Sequence, residues 1–182
     1  MSPPIPARLA GRPTVGGLVV PWVSVVLVDG TPVLGNLHGS RADRCFLEKL
    51  CQICGDKLDH PIVLFSPASS HAKDQTPEPP MHPECAAYSA KACPMVNGCM
   101  THWRAAARAA GKPCPDPGCD CAGWVDADDG PEAGRPAEPW FAVWVAEYDV
   151  GVDPGTRRPN AAIYTRLKPL KVRPLTTERC PA

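Results

Sequence analysis

What this chain lacks narrows its function first. It carries no net charge, because 19 Lys and Arg residues balance 19 Asp and Glu residues. No global field therefore draws it to nucleic acid or to an anionic membrane, and such binding would need a local patch. It has no apolar stretch long enough for a bilayer. The longest run, 17–28, is short of the ~20 residues a span needs and is broken by Pro21 and Ser24. The opening residues, MSPPIPARLAGRP, lack the basic start and apolar core of a secretory signal. The expectation is a cytoplasmic protein with no membrane partner. Internal repeats are missing, as are a Gly-rich phosphate loop, a Gly-x-Ser-x-Gly turn and a His-Glu-x-x-His helix. The signatures of P-loop nucleotide enzymes, serine hydrolases and zincin proteases are thus absent.

Three residue types are abundant instead. Twenty-four prolines and 15 glycines predict many turns, short elements and long irregular connections. Their share stays under the ~25–30% that marks low complexity. Ten cysteines are the main clue. Without an export signal, a reducing compartment disfavours stable disulfides, and metal is the better reading if the spacings fit.

The chain divides by composition into a Pro-rich arm over 1–14, a core over 15–124, an acidic loop over 125–139 and a C-terminal β-hairpin over 140–175. The β-branched run 17–28 predicts a strand. Asp29-Gly30 predicts a turn, with 31–37 returning as hairpin partner. Ser40 is placed as N-cap of a helix over 41–50, with Cys45, Phe46, Leu47 and Leu50 on its inner face. A short strand follows over 61–65, then a Pro-rich loop over 66–80. Pro83 opens a second helix over 83–92, which Cys93-Pro94 ends. Thr101 caps a third over 102–110. The run 140–148 is a strand, and 163–172 is its return along a sheet edge, because Pro169 interrupts it.

The chemistry concentrates in one spacing, C-x2-C-x27-H-x2-C, formed by Cys51, Cys54, His82 and Cys85. A Cys-x-x-Cys knuckle supplies two ligands from one tight turn, and Gly55 lets the backbone amides turn toward the sulfurs. The second pair opens a helix. Four thiolate and imidazole donors make a tetrahedral zinc set. The bland alternative is two buried, metal-free cysteine pairs. A redox-active pair is disfavoured, because Cys51 and Cys54 follow a helix rather than open one, so the dipole that lowers a thiol pKa is missing.

This pattern resembles a treble-clef zinc finger: knuckle, hairpin, then helix N-terminus, across about 51–92. The resemblance implies Zn2+ at Cys51, Cys54, His82 and Cys85. Over its whole length the chain is similar to a group of Cys-rich proteins of actinobacteria and their mobile elements. The segments Pro21-Trp22-Val23, CQICG, PPMHPECAAYSAKACPMV and CPDPGCDCAGW carry that likeness. It implies one folded unit and assigns no activity.

A second cluster, Cys114, Cys119 and Cys121, lies in a segment almost without aliphatic residues. Such a segment cannot fold by burying apolar surface, so metal would offset its ordering entropy. Cys93 is the neatest fourth ligand for a second Zn2+, with Cys99 and His102 as alternatives. Free or partly buried thiols are the alternative to a second site. An enzymatic scheme also exists. Nucleobase deaminases join His-x-Glu to Pro-Cys-x-x-Cys; here His82 and Glu84 would join Cys114 and Cys119. Its gap is four residues rather than two, a basic helical run precedes Pro113, and it leaves Cys51, Cys54 and Cys85 unused.

The neutral total hides a gradient, acidic over 126–153 and basic over 157–179. Pairing of opposite charges across a hairpin explains it, or else a phosphate-binding edge of Arg166, Lys168, Lys171 and Arg173. Arg104, Arg108 and Lys112 share one helical stripe that could extend such a surface.

The sequence therefore predicts a small α+β domain, stabilised by one Zn2+ and with room for a second. Three function classes stand. The leading one is a non-catalytic zinc-binding module for a protein partner, or alternatively for nucleic acid. The others are a zinc-dependent hydrolytic enzyme and a structural component of a larger assembly.

Overall fold

The computed structural model describes residues 2–27, 29–103, 124–125, 133–155 and 157–175. It is a mixed α+β structure with few helices and several small sheets. Among the described residues no helix is long and apolar enough to cross a membrane.

The N-terminal arm is anchored. A 3-10 turn, Ala7–Leu9, sinks Leu9 completely into the core. Strands β1 (Thr14–Val15) and β2 (Leu18–Val19) then form a two-stranded ladder. The run expected as one strand is two, because Pro21 has no N–H to donate to a ladder. β3 (Ser24–Val26) resumes after it and pairs antiparallel with β4 (Pro32–His38), the expected hairpin.

α1 spans Gly39–Leu47. Its N-cap is His38, so Ser40 lies inside the first turn and its hydroxyl meets His38 Nδ1 at 3.1 Å. Cys45 and Phe46 face inward as expected, but Leu47 is exposed. The helix stops at Lys49, whose φ of 57° lies in the left-handed region. Tyr148 secures that end, its hydroxyl donating to the carbonyls of Cys45 (3.1 Å) and Phe46 (3.0 Å).

β5 (Ile62–Pro67) is buried along its whole length. A short apolar run without alternation signals a strand covered on both faces. Its partner is distant: β8 (Trp140–Val145) pairs with it from Ile62↔Val145 to Pro67↔Trp140. These two strands form a wall between two apolar clusters. Val63, Phe65, Trp140 and Ala142 face one, with Leu9, Met81 and Tyr88. Ile62, Leu64, Val143 and Val145 face the other, with Phe46, Tyr148 and Tyr164. The period of two divides the side chains between clusters.

Four expectations are corrected here. The loop over 66–80 holds two short elements, α2 (Ala68–His71) and β6 (Gln75–Thr76). The C-terminal hairpin is two separate pairings. β9 (Asp149–Val152) and β10 (Pro159–Ile163) make a hairpin that continues to β6, while β11 (Lys171–Leu175) pairs with β8. β8 was expected to pair once; it is a central strand, and Pro174 sits on the edge strand beside it. The helix over 102–110 does not start as expected, because His102 bridges Pro136; positions 104–110 lie outside the described residues. β7 (Trp124–Val125) lies where the expected core gives way to the expected acidic loop, and it pairs with the end of β4.

A cavity of about 280 Å³ lies between the β3–β4 hairpin, β5 and the end of the helix that follows β6. Its lining is mostly apolar, with Glu78 and Gln52 among the polar exceptions. Burial raises the Glu78 carboxyl to about 7, against the opposing effect of a hydrogen bond from Gln52. A carboxyl whose pKa is raised on folding disfavours the folded state once pH exceeds its unfolded value. That penalty grows as pH rises toward 7 and is complete above it. Glu78→Gln should therefore stabilise the protein more at about pH 8 than at about pH 5.5, by on the order of 2 kcal/mol. Urea unfolding at the two pH values measures this; an equal effect at both contradicts it.

Candidate metal centre

Cys51, Cys54, His82 and Cys85 converge. One donor atom from each lies within 4.8 Å of the other three. Cys51, His82 and Cys85 are fully or nearly fully buried, and Cys54 keeps 9% of its surface. None of the three cysteines is in a disulfide.

The local sequence builds each half. The knuckle is a tight hairpin. Leu50 bridges Lys57, Cys51 N–H donates to the Asp56 carbonyl at 2.9 Å, and Gly55 N–H returns to the Cys51 carbonyl at 2.8 Å. Gly55 has φ of 87°, where a side chain is strained. It also lies against the Trp22 indole, and a Cβ there would sit 2.7 Å from the ring. Trp22 N–H and Val23 N–H donate to the Ile53 and Gln52 carbonyls, so the chain before β3 braces the knuckle. Arg41 and Arg44 of α1 cover the Trp22 ring at 5.7 and 5.4 Å.

The other half is α3, Pro83–Ala92, with the expected bounds. His82 is its N-cap, Pro83 occupies the first turn and Cys85 follows within that turn. Thiolate charge is favoured at this positive end of the helix dipole. Two short ladders carry α3 to the knuckle. Met81 and Val63 exchange both backbone hydrogen bonds at 2.9 Å, and Gln52 N–H donates to the Pro80 carbonyl at 2.9 Å. The Gln52 side chain adds a bond of 2.7 Å to the Pro79 carbonyl.

The imidazole is oriented. His82 Nε2 meets the Lys57 carbonyl at 2.9 Å, so Nε2 carries the proton and Nδ1 is left with the lone pair. Nδ1 faces Cys54 Sγ at 3.4 Å. A carbonyl behind a histidine is the usual outer partner of a metal-ligating imidazole. Thiol donation from Cys54 and Cys85 pulls the Cys51 pKa down to about 3. The same contacts, with burial, push Cys85 upward. The four donors lie close enough together to share one ion.

The remaining predicted residues divide. Cys93 is half-buried at the C-cap of α3 and packs on the first apolar cluster. Cys114, Cys119 and Cys121 lie outside the described residues, as do Arg104, Arg108 and Lys112. Cys99 is disulfide-bonded. Glu84 of the deaminase scheme engages Arg8, while His82 stands with Cys51, Cys54 and Cys85. Arg166, Lys168, Lys171 and Arg173 are all exposed. The charge pairing expected along the C-terminal hairpin is not what β11 makes: Lys171 and Arg173 lie opposite Trp144 and Ala142, and Lys171 packs over the Trp144 ring at 5.4 Å.

Sequence reasoning missed Arg8. Its guanidinium contacts Glu84, lies 3.4 Å from Asp59 and 3.8 Å from Asp56, and so stands beside the donor cluster. No spacing rule connects it with residues more than forty positions away. No family model, curated protein or solved structure matches this chain.

The packing of Gly55 against Trp22 can be tested by a double-mutant cycle. Gly55→Ala should destabilise the protein strongly, by about 2 kcal/mol or more, through positive φ and ring overlap. In a Trp22→Ala background the ring term disappears, so the same change should cost at least ~1 kcal/mol less in denaturant unfolding. Strict additivity would mean the two residues do not press on each other.

Proposed function

We propose that Cys51, Cys54, His82 and Cys85 hold one structural Zn2+ in a treble-clef-like arrangement, and that the chain is a non-catalytic zinc-binding module serving a protein partner. The observation that carries this reading is closure. Four donors of the zinc type meet in one buried cluster, and four protein ligands leave no open position for water or substrate. The separation of Cys54 Sγ from His82 Nδ1, 3.4 Å, compares with the edge of about 3.6 Å expected for a tetrahedron of Zn–S ~2.3 Å and Zn–N ~2.0–2.1 Å. The His82–Lys57 bond supplies the outer support such a site requires.

The treble-clef comparison rests on the knuckle and on the helix that opens with the second ligand pair. Between them, β5 takes β8 as its partner instead of forming a local hairpin. This segment is therefore a variant of the pattern. A protein partner is favoured by the balanced charge, 19 against 19, which supplies no field for a polyanion. The enzymatic alternative would use His82 with Glu84. It is weakened because the Glu84 carboxylate is engaged by Arg8.

Metal binding would supply folding free energy directly, of the order of 10–16 kcal/mol for structural zinc in small domains. Purified protein should contain at least one zinc per chain. Cys51→Ser should lose that zinc and become insoluble or unfolded, and a strong chelator should lower the melting temperature sharply. Metal-free protein with an unchanged melting profile would end this reading.

A further inference from the structure

We propose that Arg8 is a positioning residue for the metal centre. On this view the N-terminal arm is a strap whose guanidinium balances the centre's negative charge and slows exchange of the ion. The inference rests on the zinc reading above and adds to it a residue that no ligand motif contains.

Three observations carry it. The first is charge. Three thiolates and one neutral imidazole on a divalent cation leave the centre at −1. Asp56, Asp59 and Glu84 add three carboxylates around it. Arg8 engages all three, contacting Glu84, approaching Asp59 at 3.4 Å and Asp56 at 3.8 Å. Asp59 is in turn 3.8 Å from His82 Nε2. The guanidinium therefore joins the two halves of the site, the knuckle side through Asp56 and Asp59 and the helix side through Glu84.

The second is anchoring. A surface ion pair alone is worth little, because long side chains lose entropy on pairing and water screens them. Here the backbone is already held. Leu9, the next residue, is completely buried in the apolar cluster that contains Cys51, Cys54 and Cys85. Farther along, the Arg12 guanidinium donates to the Val20 carbonyl at 3.0 and 3.2 Å, and Val20 N–H donates to the Pro13 carbonyl at 2.8 Å. Val19 N–H donates to the Tyr88 hydroxyl at 2.8 Å. Glu84 and Tyr88 are four residues apart on α3, hence on one face, and that face holds the arm at both ends.

The third is access. Cys54 keeps 9% of its surface, whereas Cys51 and Cys85 are completely enclosed. An attacking chelator or oxidant would come in from the Cys54 and Asp56 side of the knuckle, and the strap reaches that side through Arg8 and Asp56. Release of the ion requires the knuckle and the start of α3 to part, and Arg8, held by Asp56 and Asp59 on one side and by Glu84 on the other, opposes that opening.

The test is the rate at which zinc passes from the full chain to the chromogenic chelator 4-(2-pyridylazo)resorcinol. Wild type, Arg8→Ala and Glu84→Gln are compared at equal zinc loading, with circular dichroism as a check on folding. Arg8→Ala should release zinc roughly tenfold faster while still binding one equivalent at this site. Glu84→Gln, which removes the anchor on α3 but keeps the guanidinium, should fall between. If Arg8→Ala does not fold, Glu84→Gln decides: release at least threefold faster supports the strap. Wild-type release rates in every folded variant overturn it and leave the zinc reading intact. A wild-type chain that holds no zinc overturns both.

Discussion

The structure depends on bringing two ligand pairs together across a separation of twenty-seven residues. Neither pair could form a site alone, since each offers two donors and a closed tetrahedron needs four. Bringing them together requires a partner for every backbone group on the way. β5 finds its partners in β8, and the Met81–Val63 and Gln52–Pro80 bonds place His82 and Cys85 against the knuckle. The cluster could hold a metal ion, and the surrounding contacts keep its donors together.

That holding comes from three directions. The Pro21–Val23 segment lies on the knuckle, and its indole occupies the space that Gly55 leaves open. The wall of β5 and β8 backs the helix side through Val63 and Met81. The arm crosses α3 and brings Arg8 to the acids around the site. Leu9, far from the ligands in sequence, is in the same apolar cluster as the three cysteines. The candidate cysteine donors are therefore part of the core packing itself. The second cluster, around Phe46, Tyr148 and Tyr164, is separated from the metal side by the sheet. It secures the end of α1 through the Tyr148 hydroxyl, and so fixes where the knuckle begins.

The parts of the fold legible in the sequence were those set by local rules. α3 was read at its observed bounds, because Pro83 favours the first turn and the residue before Pro94 disfavours helix. The β3–β4 hairpin followed from Asp29-Gly30. Errors arose where a partner came from elsewhere. Ser40 has the propensity of a cap, while the chain turns helical earlier, with His38 as N-cap and Gly39 as the first helical residue. β8 was read as half of a hairpin, yet its two neighbours are β5 and β11, one of them more than seventy residues away. Nothing in the run 140–148 encodes which strand it will meet, because both of its faces are apolar and several partners fit.

For the candidate site, the sequence by itself singled out the four donors that the structure brings together. Cysteine and histidine at knuckle and helix-opening spacings have few other joint uses, and local geometry makes each pair converge. It also pointed to Gly55 as the residue that lets the knuckle turn, and the structure gives that glycine a positive φ. Only the tertiary structure decided which imidazole nitrogen faces the sulfurs, because that depends on where the Lys57 carbonyl lies. It alone decided that a tryptophan fills the space over Gly55, and that an arginine from the Pro-rich arm reaches the acids around the cluster. Long-range contacts of this kind follow from how elements pack, and no spacing within one segment records them.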